Sequence, residues 1–357
     1  MYKIIPPFRL FSGRPAKQRI LFIARLLAVA CLLLFVQTAR AECTAAMQPV
    51  NFGNVDLLNP GTLTTQAIAT VTCTKSVASG TAQTFQVCLA ADGSRANTTQ
   101  LNPRYMCPSG GSCTTANRFA YNMYVDASRS TIWGTISRGS QYRDMLNTSV
   151  SFSATEAANT TRSVSLTVYA RLITPLPNVP PGQYTASFAD GSTAVAFSTG
   201  SSCGSLLTAN RFRFPFTVSA TVVKNCNVNK PNNIDFGTVN PGDTNLAGST
   251  SLDVTCTSGT PYNIGLKPSN NNTAGAGEML PVTPGGGNTD RIPYQLRSGS
   301  GANGAVWGNT ATATQTGNGV GGTGSGLQQN YNIYATVPSA DYHYGDYQDT
   351  VTVQVNY

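Results

Sequence analysis

Apolar and polar residues alternate along this chain in short stretches, and the segment Phe212 to Val222 shows it most plainly. Phe212, Phe214, Phe216, Val218, Ala220 and Val222 take every second position, which puts all six on one face of a single extended strand. Pro215 removes a ladder donor, so the pattern predicts an edge strand here. Comparable short segments follow one another between Gly, Pro and Asn turns, and no long stretch has a 3.6-residue period. This predicts an all-β fold built from sandwiches.

The first 41 residues break the pattern. Lys3, Arg9, Arg14, Lys17 and Arg19 precede an unbroken apolar run, Leu26 to Val36, and Ala39-Arg40-Ala41 offers a small-x-small cleavage site. These are the parts of a secretory signal peptide, and the run is too short to span a bilayer. Glu42 is then the first mature residue. A lipid anchor on Cys31 is the alternative, which Ala28-Val29-Ala30 fits poorly. The leader holds 7 of the 23 basic residues and none of the 15 acidic ones, leaving 16 against 15, a net of +1. The basicity therefore belongs to targeting and does not point to nucleic acid.

Eight cysteines remain beyond the leader: Cys43, Cys73, Cys88, Cys107, Cys113, Cys203, Cys226 and Cys256. An even number in a secreted chain reads as disulfides. A metal site has little to build on, because there is no C-x-x-C pair and the one histidine is His343; no cofactor is expected.

The chain repeats itself. Cys43 precedes Cys73 by 30 residues, and Cys226 precedes Cys256 by the same interval. Between them, Asn51-Phe52-Gly53-Asn54-Val55 matches Asp235-Phe236-Gly237-Thr238-Val239, each followed by a Pro-Gly turn and a strand ending Val-Thr-Cys-Thr. Further on, Trp133-Gly134 matches Trp307-Gly308, Val168-Tyr169-Ala170-Arg171 matches Ile333-Tyr334-Ala335-Thr336, and Gly182-Gln183-Tyr184 matches Gly345-Asp346-Tyr347. Several independent matches make this an internal duplication. Parity pairs Cys43 with Cys73 and Cys226 with Cys256, each loop contributing roughly 3–4 kcal/mol by restricting the unfolded chain. Cys107 with Cys113 makes a local loop, and elimination leaves Cys88 with Cys203. The expected organisation is a leader (1–41), a self-complete N-terminal domain (42–223) and a C-terminal domain (224–357).

The copies differ at their ends. After the strand around Tyr184, the first copy continues through Val195, Phe197 and Cys203 into the alternating segment Phe212–Val222. The second runs through Val351, Val353 and Val355 to Tyr357 with no equivalent segment. The expectation is that Phe212–Val222 closes the first sandwich while the second keeps an open edge and an apolar groove beside Val351, Val353, Val355 and Tyr357. Such an edge is either closed locally or filled by a strand from another chain.

The Cys…Phe-Gly…Pro-Gly…Thr-Cys-Thr opening, the Trp-Gly centre and the ending Gly345-Asp346-Tyr347-Gln348-Asp349-Thr350-Val351-Thr352-Val353 resemble the spore coat protein U domain family. That family includes subunits of archaic chaperone–usher pili, and the resemblance covers nearly all of the mature chain as two copies. It implies immunoglobulin-like pilin domains, the second lacking its final strand. It also implies a periplasmic chaperone, an outer-membrane usher and an adjacent pilin that donates a strand. A chain with an acceptor groove but only Glu42 ahead of its first cysteine would sit at one end of the fibre, as a two-domain tip adhesin at the cell surface, exported through the periplasm, that attaches to abiotic or host surfaces and promotes biofilm formation. The alternatives are a lectin-type, carbohydrate-binding tip subunit and a self-complete secreted coat protein.

Adhesion would fall on loops at the pole far from the second domain. The loop Lys75–Ala82 has little counterpart after Cys256, and the Trp-to-Tyr interval is 36 residues in copy one against 27 in copy two. Apolar residues on exposed loops can mark a binding surface, so the candidates are Val77, Ala78, Met145, Leu146, Leu206 and Leu207. No enzyme is expected. His343 has no recognisable partner for nucleophilic catalysis, the carboxylates are scattered, and the glycine runs lack the Lys-Ser/Thr of a phosphate loop. The Asn-x-Thr/Ser matches read as solvated turns.

Overall fold

The computed structural model describes residues 42–94, 100–135, 144–189, 193–199, 203, 212–283 and 287–357. The leader lies outside them. The regular elements of the described residues are β-strands. The first half contains β1 (Cys43–Met47), β2 (Val50–Val55), β3 (Thr64–Thr74), β4 (Gln83–Ala91), β5 (Arg104–Pro108), β6 (Phe119–Tyr124), β7 (Leu146–Phe152), β8 (Thr161–Leu172), β9 (Gly182–Phe188), β10 (Thr193–Ser198) and β11 (Phe216–Val222). The second contains β12 (Cys226–Asn229), β13 (Thr244–Cys256), β14 (Pro261–Pro268), β15 (Ala276–Pro281), β16 (Ile292–Arg297), β17 (Val320–Thr323), β18 (Gln328–Ser339), β19 (Tyr347–Gln348) and β20 (Val351–Asn356).

Each half makes its own pair of sheets around its own apolar core, so the fold is two tandem immunoglobulin-like sandwiches. In the first, an eight-stranded sheet of order β1-β3-β8-β6-β5-β9-β11-β2 faces a three-stranded sheet β10-β4-β7. In the second, the order β12-β13-β18-β16-β15-β19 repeats the first six strands, and β17-β14-β20 repeats the small sheet. The reason is visible in single strands. β3 alternates so that Ala67, Ala69, Val71 and Cys73 are buried, and β13 does the same with Leu252, Val254 and Cys256. The period of two sends those side chains to the core and the threonines and serines to water.

The duplication extends to individual bonds. Trp133 Nε1 donates to the Leu89 carbonyl at 2.8 Å, and Trp307 Nε1 to the Ile264 carbonyl at 2.9 Å. Tyr184 Oη donates to the Pro180 carbonyl at 2.9 Å, and Tyr347 Oη to the His343 carbonyl at 2.8 Å. Gly53 and Gly237, at φ +70° and +72°, donate backbone N–H to the side chains of Asn51 and Asp235, both at 2.8 Å. A left-handed φ favours glycine at that position of the repeated turn. Cys43 faces Cys73 across β1–β3, Cys226 faces Cys256 across β12–β13, and both pairs are bonded. The remaining bonds are Cys88–Cys203 and Cys107–Cys113.

The segment Phe212–Val222 differs from expectation in two respects. Its regular strand begins only at Phe216; Phe212 makes an isolated bridge to Val195. Nor is it an edge. β11 pairs antiparallel with β9 on one side and parallel with β2 on the other. Pro215 is compatible with this because it sits one residue before the strand, where its missing donor interrupts no ladder bond. The face assignment stands: Phe214, Phe216, Val218, Ala220 and Val222 are buried, while Arg213, Pro215 and Thr217 are exposed.

Candidate functional site

Nine strands of the second half match nine of the first. Two strands of the first half are left over, β2 and β11, and they are neighbours. The site is the position that these two strands fill in one sandwich and that no strand of the described residues fills in the other.

In the first sandwich β11 is bonded along both edges. Phe216 to Val222 faces Phe188 back to Gly182 in unbroken antiparallel register. On the other side Val218 lies beside Val50 and Val222 beside Val55. The Phe216 ring stacks on Phe188, with centroids 4.5 Å apart, and on Trp133 at 6.0 Å. Val50 and Val55 are covered, at 0% and 3% exposure. The pairing satisfies the backbone groups of three strands and closes the apolar core at once.

In the second sandwich the same neighbours lack this partner. Residues 230–243, the counterpart of β2 and its turn, form no strand. Ile234, in the place of Val50, is half-buried, and Val239, in the place of Val55, is 36% exposed. β19, the counterpart of β9, is only two residues long and pairs with β15 alone. Large exposed apolar side chains of the described residues, among them Val239, Leu280, Val282 and Tyr344, all lie in the second half. Val351, Val353 and Val355 of β20 pack half-buried on its core and pair with β14. Tyr357 is exposed, with its hydroxyl 3.4 Å from the Asn225 side-chain oxygen. Inside this region the Tyr294 hydroxyl donates to Asp349 at 2.6 Å, and burial first, then that carboxylate, pushes the phenol above its ordinary range. Asp349 takes the place that Ala186 holds in the first sandwich, a polar floor in an otherwise apolar trough.

The first sandwich is geometrically the far one. β11 ends at Val222 and the chain enters β12 after only Val223, Lys224 and Asn225. Five antiparallel steps across the sheet lead from β11 to β3. β3 therefore runs the opposite way, and the loop after Thr74 lies at the pole away from the second sandwich. In that loop Val77 is half-buried and Ala78 exposed. It is held in place from below. Lys75 is fully buried, and its ammonium donates to the carbonyls of Ser153 and Glu156. Gly80 N–H donates to the Ala154 carbonyl at 2.7 Å.

Met145 and Leu146 are not loop tips. They are 8% and 6% exposed. Leu146 opens β7 and packs in the main core. Met145 joins Cys88, Ala90, Ala196 and Cys203 in a satellite cluster on the outer face of β4. The face of β4 that carries Cys88 and Ala90 would otherwise meet water, which is why this methionine is drawn in. Both side chains border a cavity of about 390 Å³ between β7 and β8, with Leu166, Tyr169 and Asn147. Leu206 and Leu207 lie outside the described residues.

His343 stands at the other end of the molecule's chemistry. Its backbone N–H and ring Nδ1 lie 2.7 and 2.9 Å from Asp290 Oδ2. The backbone donor, then the ring, hold the Asp290 carboxyl below its usual range. Among the described residues no cluster of His, Cys, Asp and Glu could hold a metal ion, and no helix is long and apolar enough to cross a membrane.

The sequence profile of the Spore Coat Protein U domain matches residues 29–189 and again 213–354. Among solved structures the chain is similar to the chaperone–tip adhesion subunit pre-assembly complex CsuC–CsuE of the archaic chaperone–usher Csu pili of Acinetobacter baumannii. The identity is 17%, the match covers 88% of this chain and 100% of that one, and the TM-score is 0.48. A second is a chaperone–tip adhesin complex of CFA/I fimbriae, at 9% identity, 89% and 98% coverage and a TM-score of 0.30. No curated protein matches the chain.

Proposed function

The chain belongs to the Spore Coat Protein U domain family, and from that premise we propose that it is a non-enzymatic subunit of a chaperone–usher pilus, seated at the fibre tip and attaching it to surfaces. The observation that carries this reading is the pair of matching positions just described. One sandwich contains its closing strand between β9 and β2. In the other, the counterparts of those two strands are short, uncoupled and partly exposed.

The mechanism is strand acceptance. An extended segment of the next subunit lies antiparallel to residues 345–351 and parallel to residues 234–239, as β11 does to β9 and β2. Its main-chain groups satisfy two edges, and its alternate apolar side chains fill the trough between Ile234, Phe236 and Val351. Each large aliphatic or aromatic side chain so buried contributes about 1.5–3 kcal/mol, set against about 1–2 kcal/mol of backbone ordering per residue. In an alternating strand apolar burial alone does not offset that ordering, so the main-chain hydrogen bonds to both edges are needed as well. β20 edges the trough at the end where Phe212 meets Val195 in the first sandwich. Before assembly a periplasmic chaperone holds the same edge, and the usher exports the subunit to the cell surface. The self-complete first sandwich is left free for attachment, with half-buried Val77 and exposed Ala78 as its remaining loop candidates.

Coexpression tests this. With a cognate periplasmic chaperone the chain accumulates as a soluble 1:1 complex; without one it aggregates or is degraded. A stable, soluble monomer at the same yield in both cases contradicts the reading and favours a self-complete secreted coat protein.

A further inference from the structure

The junction between the two sandwiches is built from side-chain amides, and the segments that the first sandwich brings to it recur on the second. On the first sandwich the junction uses two segments at the pole where β11 ends. In one, Asn59 and Asn227 exchange amide hydrogen bonds at 3.1 and 3.4 Å, Asn225 Nδ2 donates to Asp56 at 2.7 Å, and the Val55 carbonyl accepts the Val223 N–H at 3.1 Å. In the other, Asn178 Nδ2 donates to the Ser325 carbonyl at 2.7 Å. Beside it Pro180 approaches Gly259 so closely that a Cβ on that glycine would lie 3.4 Å away.

Both segments recur on the second sandwich at the corresponding pole. Asn59-Pro60-Gly61 becomes Asn240-Pro241-Gly242, and Val55 becomes Val239. The corner tyrosines fix the other alignment. Tyr184 and Tyr347 each donate to the carbonyl four residues back, so Pro180 corresponds to His343, Asn178 to Asp341 and Pro181 to Tyr344. Tyr344 is fully exposed, at 103%, with Val239 close to the same trough at 36%. The Asp290 carboxylate braces this second loop through the His343 N–H. The repeat departs at one point: residues corresponding to Asp56, Leu57 and Leu58 are absent between Val239 and Asn240, so an acceptor like Asp56 is not supplied there.

We propose that the pole formed by Val239–Gly242 and Asp341–Tyr344 is a docking face for the body of the next subunit, equivalent to the face by which the first sandwich holds the second. The proposal rests on the strand-acceptance reading and adds to it a second contact outside the trough. The occupant is a domain of the same fold, which presents its first cysteine-bearing strand to Asn240, the turn after its second cysteine to His343, and the loop corresponding to Ser325 to Asp341. Within this chain only three residues separate the closing strand from Cys226, and the two domains meet pole to pole. A donated strand with a similarly short link brings its own domain onto this face, where Asn240 supplies an amide pair and Tyr344 an apolar cover. The contact sets the angle between tip and fibre, which strand insertion alone leaves to the linker.

The test uses assembled fibres made with chaperone and usher. A photoreactive benzoylphenylalanine replaces Tyr344 or, separately, Asn240, with Ser79 at the opposite pole as the reference position. Strand insertion is read independently, as a complex with the neighbouring subunit that survives SDS without heating. The expected result is a stable complex in all three variants, with crosslinks to the neighbour only from residues 344 and 240, mapping near its first two cysteines. A stable complex with no crosslink above the Ser79 background at either position overturns the docking face and leaves strand acceptance intact. Loss of the stable complex itself overturns both.

Discussion

Phe216 shows how much of the closure rests on single side chains. Its ring lies between Phe188 and Trp133, and its backbone pairs with the first residue it can reach on β9. Truncation to alanine leaves a cavity at the centre of the first sandwich. Phe216→Ala should cost about 3–5 kcal/mol, read as a fall in the urea midpoint of the chaperone-released chain. Thr217→Ala, one residue on and facing water, should change stability by no more than about 0.5 kcal/mol. Equal effects at the two positions would mean that the alternation does not govern the packing. Alternation made these residues legible in the sequence, because burial follows a period of two wherever one sheet face is covered. Met145 was not legible. Its burial depends on Cys88, 57 positions earlier, and on Cys203, 58 later, and no local pattern carries that information.

At the scale of elements, the informative comparison is β2 with its counterpart. The phrases Asn-Phe-Gly-Asn-Val and Asp-Phe-Gly-Thr-Val are close to interchangeable, and both turns make the same glycine bond. One is a strand and the other is not. β2 has a single strand neighbour, β11, so its conformation is imposed from outside the segment and could not be read within it. Pro215 is the reverse case: the local rule suggests an edge, whereas the strand starts one residue later and has neighbours on both sides. The loop Lys75–Ala82 is a second case in which an element is fixed by its surroundings, here by the buried Lys75 ammonium on the carbonyls of Ser153 and Glu156. A rigid support of this kind suits a contact surface. Replacing Val77 and Ala78 together by aspartate should lower attachment of piliated cells to polystyrene without changing pilus number on the cell. Undiminished attachment at normal pilus number would remove this loop from the adhesive surface.

At the scale of the whole molecule the sandwich is duplicated, and among the described residues β2 and β11 of the first copy have no counterpart strands in the second. The duplication and the all-β class are legible, because the cysteine intervals, the Trp-Gly pair and the Gly-x-Tyr turn recur in order. The asymmetry was legible only as a difference in sequence, and the structure adds which two neighbours the absent strand would join. The direct measurement is amide hydrogen exchange on the chain, freshly released from its chaperone into dilute solution, with and without a peptide carrying the neighbouring pilin's N-terminal extension. Residues 50–55 and 182–188 should be protected in both samples. Residues 234–239 and 345–351 should exchange rapidly alone and become protected when the peptide is bound. Protection of those two segments equal to that of residues 50–55 before any peptide is added, and unchanged after it, would contradict strand acceptance.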